Sequence, residues 1–187
     1  METKTSLLMA DSSESDCQKE TMLDFILSWT LRRAQVCYAN EDTLLYKYCR
    51  KILFHLLGIE EYDNIEVISV ETWKQWYHID LHANIGLRIN GEIEWHALLV
   101  ENKIYSPIHD NQLKRYKEIF EETYRNGEFK DHLHFVLITC LETPTDNMQK
   151  ECDDNNYMCV PILKLFPYDY GEDTKSDIFN EFWLRKW

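Results

Sequence analysis

The chain has 187 residues, of which 44% are hydrophobic and 13% aromatic, with only 5 glycines and 4 prolines; this excludes a disordered, collagenous or linker-dominated protein and allows one sizeable core. A formal net charge of −13 excludes a generally basic nucleic-acid coat, although residues 31–139 carry 13 basic against 17 acidic residues, so most of the surplus sits in the flanks. No apolar run approaches the roughly 20 residues of a membrane span, and the N-terminus lacks a basic flank and apolar stretch of the secretory kind, so a cytoplasmic protein without a membrane partner is expected.

Residues 1–18 are polar and rich in Ser and Asp, which predicts a flexible acidic tail ahead of one domain over 19–187. From Glu20 to Arg33 the residues Met22, Leu23, Ile26, Leu27 and Leu31 recur at three-and-four spacing and predict an amphipathic helix. Asn40 offers an N-cap to a second helix, whose apolar residues run from Leu44 to Leu57 and which Gly58 closes. The pattern then turns extended over 65–70, 76–89 and 94–104, and Asn90-Gly91 is a hairpin signal, which predicts three antiparallel strands. Leu113, Tyr116, Phe120 and Tyr124 line one side of a helix from about His109 to Arg125, and residues 134–139 read as a buried strand. The order to that point is α-α-β-β-β-α-β. Beyond it lie a polar stretch over 142–156 (loop or partial helix), a possible strand over 157–162 and a helix from about Ser176 to Trp187. The six cysteines (17, 37, 49, 140, 152 and 159) show no CxxC pair and no His at zinc-finger spacing, and read as reduced thiols with no structural metal expected.

Period-two alternation places His78, Asp80, His82 and Asn84 on one face of their strand, with Ile79, Leu81, Ala83, Ile85 and Leu87 on the other, which is either an ordinary solvated face or a site. The next strand is of buried type through Leu98-Leu99-Val100 and ends in Glu101-Asn102-Lys103, so Glu101 and Lys103 share a face. Phosphodiester hydrolysis needs a hard divalent cation held by oxygen ligands. Asp80 and Glu101 supply two, the Asn102 carbonyl a third, and Lys103 an ammonium to orient water and offset developing charge. Gln112 and Tyr116 are i and i+4 neighbours on the helix that follows.

His78-Ile79-Asp80, then Leu99-Val100-Glu101-Asn102-Lys103, then Gln112-Leu113-Lys114-Arg115-Tyr116, resembles the D…ExK core and QxxxY motif of the PD-(D/E)xK nuclease superfamily, in its RecB-like and lambda-exonuclease-like branch. Ile79 stands where the family pattern has Pro. The resemblance covers about residues 40–140. It implies an α/β, restriction-endonuclease-like α-β-β-β-α-β core with a mixed sheet flanked by helices. It further implies Mg²⁺- or Mn²⁺-dependent cleavage of DNA, with Asp80, Glu101 and Asn102 at the metal, and Lys103 and Gln112 in catalysis. Tyr116, Lys114 and Arg115 would then lie against substrate, and a phage-defence setting is an expectation of the family only. A helical carboxylate of the kind many relatives add would be Glu41 or Glu20. Lys117 on the later helix and Lys47, Arg50 and Lys51 on the second are further candidates for phosphate contact, and His55, His78 and His82 are read as core or cleft histidines. Two other readings stand beside the nuclease: a catalytically silent nuclease-fold protein acting through its acidic surface, and a subunit needing a protein partner or homodimer, for which Trp183 and Trp187 are candidate contacts.

Overall fold

A computed structural model describes residues 4–9, 18–60, 64–103, 107–109, 111–165 and 171–186. Helix α1 (Gln18–Arg33) and helix α2 (Thr43–Leu57) lead into strands β1 (Ile65–Trp76), β2 (Ile79–Ile89) and β3 (Glu92–Lys103). Helix α3 (Gln112–Thr123), strand β4 (Leu133–Thr139), helix α4 (Asp146–Asn155) and strand β5 (Met158–Pro161) follow, with a short α5 (Ile162–Leu165) and α6 (Asp177–Trp183) at the end. The five strands lie side by side in chain order. The first three are antiparallel, whereas β4 and β5 run parallel to β3. This is the mixed α/β sheet flanked by helices that the sequence predicts, with β3 at its centre.

Both faces of the sheet are covered. Leu81, Ala83, Ile85 and Leu87 of β2, with Leu98 and Val100 of β3, pack against the apolar stripes of α1 and α2. On the other face, Ala97, Leu99 and Leu137 pack with Leu113, Tyr116 and Phe120 of α3 and Cys152 of α4. Complete burial of a Leu or Phe contributes about 1.5–3 kcal/mol, so two such layers fix which side chains of β3 face which helix. The face of β2 read as polar is therefore no solvated side. His82 is 5% exposed, bonded to Asn84 and the Tyr124 hydroxyl, and burial holds its ring neutral, down to about 4.

Element ends follow local chemistry. The N-cap of α2 is Asp42, not Asn40: its carboxylate accepts from the Leu44 and Leu45 N–H groups and, through its other oxygen, from the Lys175 N–H at 2.7 Å. Gly58 ends α2 at φ 63, a left-handed conformation glycine adopts without strain. β1 runs to Trp76, six residues past the predicted end at Val70, and the β1–β2 hairpin turns at Tyr77 (φ 51) and His78 (φ 67), a left-handed two-residue turn made without the Gly or Asn that would mark it in the sequence. Within the stretch 142–156 residues 146–155 form helix α4, capped by the Thr145 hydroxyl and buried through Met148 and Cys152.

Of the N-terminal segment expected to be a flexible tail, residues 4–9 are described, and they are docked. Thr5 bridges to Lys186, the Leu7 N–H donates to Glu181, and Ser6 and Met9 are buried. Trp183 is likewise no exposed contact, since it is 2% exposed and its indole N–H donates to Thr30 at 3.0 Å. Trp187 lies outside the described residues.

Candidate active site

The register that sets Leu81 opposite Val100 brings Asp80, one residue earlier, beside Glu101, one residue later. Asp80 Oδ2 accepts from the Asn102 peptide N–H at 2.8 Å. On the α3 side of the sheet Glu101 Oε1 receives Lys103 Nζ at 2.9 Å and Gln112 Nε2 at 2.6 Å. The Gln112 amide also reaches the Tyr116 hydroxyl at 3.3 Å, so Tyr116 is at once core and part of this cluster. Asp80, Glu101, Lys103, Gln112 and Tyr116 thus meet at the C-terminal end of β3.

Asn102 points through the sheet to the opposite face, where its amide donates to Asp24 of α1. Asp24 acts electrostatically on Glu101 and is itself pushed up by Asp80, and it escaped the sequence reading. Its signal was nonetheless present: Leu23, Asp24, Leu27, Ser28 and Leu31 form one helical stripe, and a carboxylate and a hydroxyl on an apolar stripe need partners. Ser28 has its partner in the Thr72 hydroxyl at 2.9 Å. Glu20, one turn before Asp24, lies close enough to act on Asp24, Asp80 and Lys103. Glu41 does not join the site and pairs with Arg33 at 2.7 Å.

Gln75 also escaped the sequence reading. Its backbone sits at φ 56, and its amide donates to Asp80 Oδ1 at 3.1 Å and hydrogen-bonds Asp24. A non-glycine residue held there costs on the order of 1–3 kcal/mol, which the surrounding sheet must offset. His78 lies exposed in the adjoining turn.

The electrostatics are those of crowded acid groups in a dry place. Glu101 is 1% exposed, and burial, then Asp80, push its carboxyl up to about 8 despite Lys103. Burial, then Asp80, raise Asp24 to about 7, and burial raises Asp80 as well. Lys103 is 7% exposed; burial opposes its charge, yet Glu101 and Asp80 outweigh burial and raise its pKa. Glu101 Oε2 is buried with no hydrogen-bond partner. An orphan carboxylate oxygen amid three carboxylates and one ammonium fits a hard divalent cation, which takes oxygen ligands only.

The basic candidates divide. Lys114 and Arg115 are exposed on α3, with the Arg115 guanidinium 5.1 Å from the Tyr116 ring centre. Lys117 is tied to the Asn155 carbonyl at 3.0 Å. Arg50 is buried and donates to the Ile65 carbonyl at 2.8 Å, which takes it out of the α2 set, whereas Lys47 is exposed. His55 is half-buried on α2, away from these carboxylates.

Comparison with known proteins finds no significantly similar curated protein and no significantly similar solved structure. One family model matches almost the whole described chain, residues 5–182, and it is that of the PD-(D/E)XK nuclease superfamily. The chain belongs to the PD-(D/E)XK nuclease superfamily.

Proposed function

We propose that the protein is a Mg²⁺- or Mn²⁺-dependent nuclease that hydrolyses phosphodiester bonds of DNA. The observation that carries this reading is the buried, unpartnered Glu101 Oε2 among Asp80, Asp24 and Lys103. Asp80, Glu101 and the Asn102 carbonyl would hold the cation, with Asp24 and Glu20 of α1 completing or orienting the set. When bound, such a cation polarises the scissile phosphate and lowers the pKa of a water.

The remaining work falls to this chain's own groups. Lys103, kept charged by Glu101 and Asp80, places its ammonium where negative charge develops on the phosphoryl oxygens. Gln112 fixes the rotamer of Glu101, and the Tyr116 hydroxyl fixes Gln112. Gln75 aligns Asp80 from the hairpin. Lys114 and Arg115 are the residues offered to the phosphate backbone. Trp73 and Tyr77, 40% and 63% exposed on either side of Gln75, give unstacked bases a face to lie on.

The deciding experiment incubates supercoiled plasmid, single-stranded DNA and RNA of equal length with the protein in Mg²⁺, Mn²⁺ or EDTA. Metal-dependent cleavage of DNA is expected, with Lys103→Ala losing turnover by orders of magnitude while still gaining thermal stability from Mn²⁺, and Glu101→Ala losing both. Lys103→Ala cleaving as well as the parent would refute the assignment. An inert protein would favour the silent, acidic-surface reading, which the net charge of −13 supports.

A further inference from the structure

A second group of potential ligands stands at the other end of β3. Glu94 and His96 belong to the start of that strand and His132 immediately precedes β4, and their ligand atoms all lie within 4.8 Å of one another. From Glu94 or His96 to Glu101 is five to seven residues of strand, roughly 17–23 Å at about 3.3 Å per residue. This cluster is therefore separate from the carboxylate site.

The hydrogen bonds determine which atom of His96 is left over. His134 hydrogen-bonds the backbone of Leu57 in the sense that favours a ring N–H, which means that a carbonyl accepts it. Its Nε2 lies 2.9 Å from His96 Nδ1, so Nδ1 is the nitrogen left for Leu57. A neutral His134 then offers Nε2 as an acceptor, and His96 Nδ1–H donates to it. His96 Nε2 is consequently a bare lone pair. It is buried without a hydrogen-bond partner, on a residue 2% exposed, and it faces the Glu94 carboxylate at 3.6 Å. Two acceptors turned toward each other repel unless a proton or a cation lies between them, and burial disfavours the proton. His132 Nε2 approaches the same carboxylate at 4.0 Å.

We propose that Glu94, His96 and His132 form a binding site for a borderline transition-metal ion of the zinc class, distinct from the site at Glu101. Two imidazoles and a carboxylate are a ligand set such ions take, and Mg²⁺ does not prefer it. The relay from the Leu57 carbonyl through His134 to His96 fixes tautomer and ring orientation, as the outer partners of metal-bound histidines do. The 40% exposed Glu94 and 39% exposed His132 leave an entry path and a fourth position for water. A metal here clamps the start of β4 to β3 on the far side of the connection through α3.

The test is titration of EDTA-stripped, dialysed protein with Zn²⁺ and with Co²⁺, following melting temperature, stoichiometry and the visible absorption of Co²⁺. One equivalent is expected to bind and, at a hundredfold excess over Kd, to raise the melting temperature by roughly 5–10 °C. Glu101→Ala should keep the Zn²⁺ response. Glu94→Gln and His132→Asn, at partly exposed positions that should fold without metal, should each weaken it at least tenfold. The proposal is overturned if the wild type takes up neither ion, if both variants bind as the parent does, or if Glu101→Ala abolishes uptake. That last result would move the ion to the carboxylate site, whereas loss of DNA cleavage with the Zn²⁺ response intact would count against the nuclease reading alone.

Discussion

Glu101→Gln isolates the effect that dominates the carboxylate site. The amide keeps the shape of the side chain and can still accept from Gln112 and Lys103, but it carries no charge. Two effects compete in the wild type: the ammonium of Lys103 at 2.9 Å favours the carboxylate, while burial and Asp80 oppose it. Burial is the larger, since the carboxyl rises from an ordinary 4.5 to about 8. The folded chain therefore keeps a proton that the unfolded chain has released. Stability falls as pH rises through that window, by about 3 kcal/mol at pH 7 and about 5 kcal/mol above pH 8 relative to acid conditions. The glutamine variant should recover about 3 kcal/mol at pH 7 in EDTA, or about 6–12 °C in melting temperature for a chain of this size. Urea and thermal melts from pH 5 to 9 measure it. The wild type should lose stability across the range and the variant should lose less, while Mn²⁺ should stabilise the wild type at pH 8 and leave the variant unmoved. A variant less stable than the parent at pH 7 in EDTA, or a metal-free wild type that gains stability from pH 5 to 8, would refute the reasoning.

Asp24→Asn should also stabilise the metal-free protein above pH 7, because its carboxyl is raised to about 7, yet weaken Mn²⁺ binding by about 10–100-fold; unchanged Mn²⁺ affinity by calorimetry would place Asp24 outside the metal's influence. Deleting residues 1–9 removes the Thr5–Lys186 bridge and the buried Ser6 and Met9, and should cost about 2–3 kcal/mol in a denaturant melt; an unshifted midpoint would show that the segment is not docked. Replacing Tyr77-His78 by Asn-Gly, the pair suited to a left-handed two-residue turn, should raise stability by about 1 kcal/mol or more. A destabilised variant would mean that packing of the Tyr77 ring on Trp76 outweighs the backbone strain.

How much of this the sequence disclosed depends on the range of the interaction. Glu101 and Lys103 were legible because period-two alternation is local and Leu98-Leu99-Val100 marks a buried strand. Gln112 and Tyr116 were legible because i and i+4 share a helical face. Asp24 was missed because its partner Asn102 is 78 residues away, and a helix reads equally amphipathic with one polar group in its stripe. The turn at Tyr77-His78 was missed because the chain makes it by tertiary compulsion rather than with Gly or Asn. Glu94, His96 and His132 have no ligand spacing to recognise: parallel pairing of β3 with β4 brings them together, and α3 separates them in sequence.

The net charge of −13 bears on how a polyanion could be held at the site. Of the basic candidates, Arg50 is spent on a core carbonyl and Lys117 on the end of α4, which leaves Lys114 and Arg115 as the exposed pair on the helix that carries Gln112 and Tyr116. If both contact phosphate, a slope of about −0.9 each predicts that DNA affinity should fall only as roughly the second power of salt concentration. A protein that gathers Asp24, Asp80 and Glu101 around a single lysine does not attract a polyanion by its own field. Under the proposed function the same carboxylates would concentrate a divalent cation, and that cation would reverse the local sign. DNA affinity should therefore depend steeply on Mg²⁺ and only weakly on monovalent salt. Binding of DNA that is tight in EDTA and steeply weakened by NaCl would show that a basic surface, and not the metal, holds the substrate.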